Sequence, residues 1–145
     1  MSSLSDFATR GKVIAVRSGS IVFQPKDTNY ELHLATREQY DGPINVPVSA
    51  LIRATVRKLL TVSSGGAFIA PIFGPPRTVQ GRVRHVGEEA IVAQAGLSVI
   101  LDLPRADHAV DLNTGPIGIG TMVNAIVLAG ATFELLSSST TAEIR

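Results

Sequence analysis

The residue pattern predicts an all-β fold of two tandem repeats, forming two small barrels or one pseudo-two-fold barrel, with one short helix per repeat. Three observations carry that expectation. Short runs rich in Val and Ile recur along the chain, separated by Gly-containing breaks. The length of 145 residues suits one ordinary domain or two very small ones. A stretch near the start also returns 70 residues later.

That return is visible residue by residue. Gly11, Val13, Val16, Ile21, Val22 and Gln24 recur as Gly81, Val83, Val86, Ile91, Val92 and Gln94, and Lys12 keeps its charge as Arg82. The match resumes with Leu32 and Leu34 over Leu101 and Leu103. It resumes again with Leu51–Val56 over Met122–Val127. Two copies are too few for a solenoid, so they are expected to pack on each other or share strands.

The elements follow in order. Val13 to Val16 and Ser20 to Gln24 read as strands joined at Ser18-Gly19, where Gly takes a positive φ at no steric cost. Tyr30 to Ala35 alternates, with Leu32 and Leu34 on one face and Glu31 and His33 on the other. Val99 to Leu103 is its counterpart. Thr36-Arg37-Glu38-Gln39 has the T-x-x-Q spacing of a helix capping box, and Asp107 to Leu112 is the equivalent place in the second copy. Ala50 to Leu60 fits both a helix stripe and a strand face. The alternation of Val123, Ala125, Val127 and Ala129 in the second copy decides for strand. The expected organisation is a tail over 1–10, a first barrel repeat over 11–62, a linker or crossover over 63–80, a second repeat over 81–136 and a flexible tail over 137–145.

This residue order resembles the TOBE domain, a small OB-like barrel that often occurs in tandem. The residues that carry the resemblance are Gly11-Lys12-Val13, Thr36-Arg37-Glu38 and Val48–Ala54. In the second copy they are Gly81-Arg82-Val83 and Val123-Asn124-Ala125-Ile126. The resemblance implies an OB-like barrel and, as one function, oxyanion binding. Oxyanion-binding members carry Ser-Ala-Arg-Asn just before that Gly. Here Pro75–Gly81 keeps Arg77 and Gly81 but has Pro75 and Thr78 in place of Ser and Asn.

Composition narrows the function classes. Hydrophobic residues make up 45% of the chain and charged residues only 17%, so part of the surface is expected to be apolar or covered by a partner. A net charge of +1 and scarce aromatics argue against nucleic acid. No apolar run approaches the ~18 residues of a membrane helix. The start lacks the basic and apolar regions of a signal peptide, so a cytoplasmic protein is expected. Without cysteine there is no disulfide framework and no thiolate metal site. His33, His85 and His108 show no metal-ligand spacing, so neither a metal nor another cofactor is expected.

Catalysis is disfavoured as well. A hydrolase set of His108, Asp107 and Ser98 can be written down, but adjacent residues on a regular element diverge and no G-x-S-x-G elbow is present. Gly115–Gly120 has the spacing G-x-x-G-x-G and leads into a strand, so it reads as a loop rather than a phosphate cradle.

Two candidate sites remain. Phe68, Ile69, Ile72 and Phe73 form an apolar stretch bounded by Gly, which marks either a barrel cap or an interaction surface. Arg53, Arg57, Arg77 and Thr78 offer donors for a small anion. The expected function is therefore a non-enzymatic structural or protein-interaction module that self-associates into a homo-oligomer or binds a protein partner. A small oxyanion-binding module of the molybdate, tungstate or phosphate class is the alternative.

Overall fold

The computed structural model describes residues 4–103, 111–113 and 117–138. Among them the chain is all-β. After a single 3-10 turn at Leu4–Phe7 come twelve strands: β1 (Thr9–Arg17), β2 (Ser20–Pro25), β3 (Glu31–Ala35), β4 (Val48–Thr61), β5 (Phe68–Ala70), β6 (Phe73–Gly74), β7 (Thr78–Val86), β8 (Ala90–Gln94), β9 (Ser98–Asp102), β10 (Asp111–Asn113), β11 (Met122–Val127) and β12 (Thr132–Ser138). Ala50 to Leu60 is strand throughout, inside the 14-residue β4. Among the described residues no helix is long and apolar enough to cross a membrane.

The strands pair into a closed-ring sheet. β1, β2 and β3 are joined by antiparallel pairing. β3 then meets β12 in parallel at Ala35 and Thr132, β12 runs antiparallel to the first half of β4, and β4 returns to β1. A second circuit passes through the other half of β4. There β7, β8 and β9 pair antiparallel, β9 lies parallel to Arg53–Thr55, and β11 bridges β4 to β7.

β4 therefore belongs to both circuits. Along one of its edges β11 and β12 lie almost end to end, with Val127 opposite Val56 and Thr132 opposite Arg53. The Leu128 N–H bridges the join by donating to the Thr55 carbonyl at 2.8 Å. β4 and β11–β12 thus form one long ribbon running through the whole molecule.

The two hairpins aligned in the sequence share their pairing. Lys12, Val13, Ala15 and Val16 face Gln24, Phe23, Val22 and Ile21. Arg82, Val83, His85 and Val86 face Gln94, Ala93, Val92 and Ile91. Both registers slip at the same place, between Val13 and Ala15 and between Val83 and His85. The glycine inside the first half of each strand, Gly11 in β1 and Gly81 in β7, has one physical cause. A Cβ at Gly11 would collide with the Gln24 carbonyl oxygen, and one at Gly81 with that of Gln94. Each strand crosses its neighbour too closely for a side chain. Gly19 has φ 75° and turns the first hairpin, as its position between the strands predicts.

Alternation delivers the core. Val13, Ile21, Phe23, Leu32, Leu34, Val48, Ala50 and Ile52 point into the first circuit, and Val79, Val83, Ile91, Val99, Leu101, Val123 and Ala125 into the second. They form one continuous cluster. The β12 residue Phe133 closes the first circuit, with its ring 5.2 Å from Phe23 and 5.8 Å from Tyr40. A smaller cluster of Leu51, Ala90, Val92 and Ile100 lies on the other face of the sheet, against Phe7 and Ala8.

Several expectations need correction. The helix expected at Thr36–Gln39 is not formed. A capping box needs the Gln39 side chain on the Thr36 N–H. Instead that N–H donates to the Gly19 carbonyl at 3.0 Å, and the Gln39 amide donates to the Arg17 carbonyl at 3.4 Å. The β1–β2 turn thus takes both ends of that arm, and the Thr36 hydroxyl, which would form the other arm, is buried with no partner among the described residues. Of the helix expected over 107–112, residues 107–110 lie outside the described residues, and Asp111–Asn113 is strand β10, parallel to Lys58–Leu60.

The expected tails are also partly structured. Thr9 and Arg10 belong to β1, and the Thr9 hydroxyl both donates to the Ser98 carbonyl and accepts from the Ser98 N–H. Ser137 and Ser138 end β12, while 139–145 lie outside the described residues. The stretch 63–80 contains β5, β6 and the start of β7.

Phe133→Ala should cost about 3–5 kcal/mol, a large part of a domain's usual ~5–15 kcal/mol. Gly81→Ala should also destabilise, by at least about 1–3 kcal/mol, because the atom it meets is backbone. Gly66→Ala faces open space and should stay within about 0.5 kcal/mol of the parent. Urea denaturation of the three variants checks this ordering.

Candidate functional site

The anion-donor set expected from the sequence is divided by the structure. Arg53 lies on β4 beside the parallel joint to β9, where Thr55 faces Asp102. Its guanidinium grips the Asp102 carboxylate with both arms, Nε to Oδ2 at 3.0 Å and Nη2 to Oδ1 at 2.6 Å. That hydrogen bonding raises the Arg53 pKa, burial opposes the rise, and the charges of Asp102 and Glu134 add to it. Arg53 is thus committed to a carboxylate 49 residues away. Both side chains are 35% exposed, so the pair contributes about 1 kcal/mol or less in stability. The pair also bridges β4 and β9 beside their parallel joint.

Arg53 also lines a cleft of about 400 Å³ with Thr36, Arg37, Thr132 and Glu134. Its charged lining residues are Arg37, Arg53 and Glu134; with Arg53 already held by Asp102, Arg37 and Glu134 offset each other and little positive charge is left for an anion.

Arg57 and Arg77 are exposed, and among the described residues neither side chain has a hydrogen-bond or ion-pair partner. Arg57 sits where the β4–β11 register slips, between the pairs Val56–Val127 and Lys58–Ile126. Thr78 opens β7, half-buried opposite Ile126. These three keep donors available; Arg53 does not.

The apolar stretch is also divided. Ile69 is 2% exposed and belongs to the core. Phe68, Ile72 and Phe73 are 38%, 50% and 64% exposed. Their placement follows from the strands. β5 pairs antiparallel with β7 and β6 pairs parallel with β3, so the segment passes from the second circuit to the first. Tyr30 fastens it, accepting a hydrogen bond from the Ile69 N–H at 2.9 Å and donating to the Ala95 carbonyl at 3.4 Å. A chain that must span both circuits follows their outside, and alternation along β5 turns only Ile69 inward.

The histidines do not assemble into a centre. The His85 ring lies 5.4 Å from the Phe7 ring at a tilt of 42°, and His33 is half-buried on β3 opposite Val22. His108 and Asp107 lie outside the described residues, as do Gly115 and Pro116. The Ser98 hydroxyl hydrogen-bonds to Gln94 Oε1 at 3.0 Å. Of the expected loop, Gly118 and Thr121 close a turn on each other and Gly120 binds back to Val83. Among the described residues, no three metal-ligating side chains come together.

A cavity that the sequence reading missed lies at the open end of the β1–β2 hairpin. It has a volume of about 330 Å³ and is lined by Arg10, Lys12, Gln24, Lys26, Asp27 and Thr28. The signal for it was the alternation Arg10-Gly11-Lys12, which puts two cations on one face with a glycine between them. Comparison with known proteins finds no matching family model and no matching curated relative.

Asp102→Asn should weaken the grip on Arg53 and cost about 0.5–1 kcal/mol at low salt, shrinking as ionic strength rises. Denaturation of the parent and variant at two salt concentrations checks both the size and the salt dependence.

Proposed function

We propose that this chain is a non-catalytic β module that associates with a second copy of itself through the Phe68–Phe73 crossover. The observation that carries the reading is the exposure of Phe68, Ile72 and Phe73 within six residues of a segment held at both ends by strand pairing. Fixed apolar side chains on a surface favour a partner, because covering them removes apolar area from water at no further ordering cost to the backbone.

Two features favour a second copy as that partner. A net charge of +1 gives little repulsion between identical chains. A short apolar patch also meets its own image in a two-fold interface, so one set of residues serves both sides. We further read the chain as tandem OB-like half-barrels of TOBE-like pattern, each taking its fifth strand from the ribbon. The shared register slip of the two hairpins and their paired glycines support that reading. The oxyanion alternative built on Arg53, Arg57, Arg77 and Thr78 is the weaker one, since Arg53 is held by Asp102.

Light scattering of the full chain over a micromolar dilution series tests the proposal. A dimer is expected, with Phe68→Ser plus Phe73→Ser shifting it to monomer while the circular dichroism stays unchanged. A parent that is monomeric throughout, or a dimer indifferent to both substitutions, overturns it.

A further inference from the structure

We infer that the cavity at the open end of the β1–β2 hairpin is a binding site for a small ligand carrying two linked phosphate groups. The argument begins with the strand register. Arg10 and Lys12 are alternate residues of β1, exposed on either side of the buried Gly11. The Lys26 N–H donates to the Arg10 carbonyl at 2.8 Å, which sets Lys26 across from Arg10, and Lys12 faces Gln24.

Three cations therefore occupy three corners of a cross-strand square, with Gln24 at the fourth. Like charges directly opposite each other on a sheet destabilise it. Among the described residues no carboxylate pairs with Arg10, Lys12 or Lys26, although Asp27 lines the same cavity. The repulsion is left for a ligand to relieve.

The corresponding place in the second hairpin is built differently. Offset by 70 residues, Arg10 becomes Gln80 and Lys26 becomes Gly96, and only Lys12 keeps its charge, as Arg82. The Gln80 amide there is spent internally, donating to the Gly66 carbonyl at 2.8 Å and accepting from the Asn124 amide at 2.9 Å. Arg82 is spent on the Gly120 carbonyl at 3.0 Å. The same scaffold thus closes this place with internal hydrogen bonds in one hairpin and leaves it open, with three cations, in the other.

Spacing selects the ligand class. Arg10 and Lys12 are about 7 Å apart along the strand, and Lys26 stands about 5 Å across from Arg10. A lone tetrahedral oxyanion meets all three charges only if the long side chains fold inward and crowd their like charges together on it. A diphosphate spans them, with one phosphate between Arg10 and Lys26 and the other at Lys12, where the Gln24 amide adds a neutral donor. A volume near 330 Å³ lies at the small end of ligand pockets, which suits a compact phosphorylated molecule. Asp27 on the rim favours a ligand bearing a hydroxyl or amine beside its phosphates.

Isothermal titration of the full chain with inorganic pyrophosphate, at constant ionic strength, tests the site. Saturable binding of one pyrophosphate per chain is expected, at least tenfold tighter than inorganic phosphate or sulfate. Lys12→Gln and Lys26→Gln should each weaken it tenfold or more, while Arg57→Gln and Arg77→Gln leave it unchanged. These side chains are exposed, so the variants should keep the parent's circular dichroism. Absence of saturable binding overturns the proposal. So does equal affinity for phosphate and pyrophosphate, or an affinity that follows Arg57 and Arg77 instead of the cavity residues.

Discussion

Everything else in the molecule depends on one strand serving two circuits. The first half of β4 closes the β1–β2–β3 side and its second half closes the β7–β8–β9 side. The parallel joints of β3 to β12 and of β9 to β4 can be made only by chain arriving from far away in sequence, because parallel neighbours need a long crossover. Neither half can therefore complete its circuit locally. Without β12 the first circuit would leave the edges of β3 and β4 open, and open edges invite aggregation. Sharing the ribbon joins the two circuits around one continuous core.

The surface features follow from that economy. The chain must travel from β4 in the second circuit back past β3 and then into β7, and it does so outside the core. Phe68, Ile72 and Phe73 stay exposed as a consequence, while Ile69 is drawn inward and Tyr30 fastens the passage. The hairpins at the two ends inherit the same backbone but different side chains. One end fills its polar positions with Gln80, Asn124 and Arg82 bonded to neighbours; the other presents Arg10, Lys12 and Lys26 together. Backbone likeness with side-chain difference is how one scaffold can hold a structural end and a binding end.

Much of the strand content was legible in the sequence, for a local reason. Alternation is a two-residue signal that Tyr30–Ala35 carries without help from distant residues, whereas Ala50–Leu60 also fitted a helix stripe and was decided only by its counterpart at Val123–Ala129. The absence of the helix at Thr36–Gln39 was not legible, because the Thr36 N–H and the Gln39 side chain, which would have bonded each other, are both taken by carbonyls of the β1–β2 hairpin. The role of Thr132–Ser138 was hidden too. Its polar end reads as a tail, and only its distant partners in β4 and β3 make it a strand. At the candidate sites, Arg53 looked available until Asp102, from the other circuit, was placed against it. The Arg10–Lys12 spacing was on view, but its meaning depended on Lys26 arriving across the turn.

The shared ribbon makes a thermodynamic demand that can be measured directly. If the two circuits are one cooperative unit, native-state hydrogen exchange should find the slowest amides of β1–β3 and of β7–β9 exchanging with the same free energy, equal to that of global unfolding, with β4 and β11 among them. Two groups of amides with clearly different opening energies, one for each circuit, would contradict the account by showing that the halves unfold separately despite the strand they share.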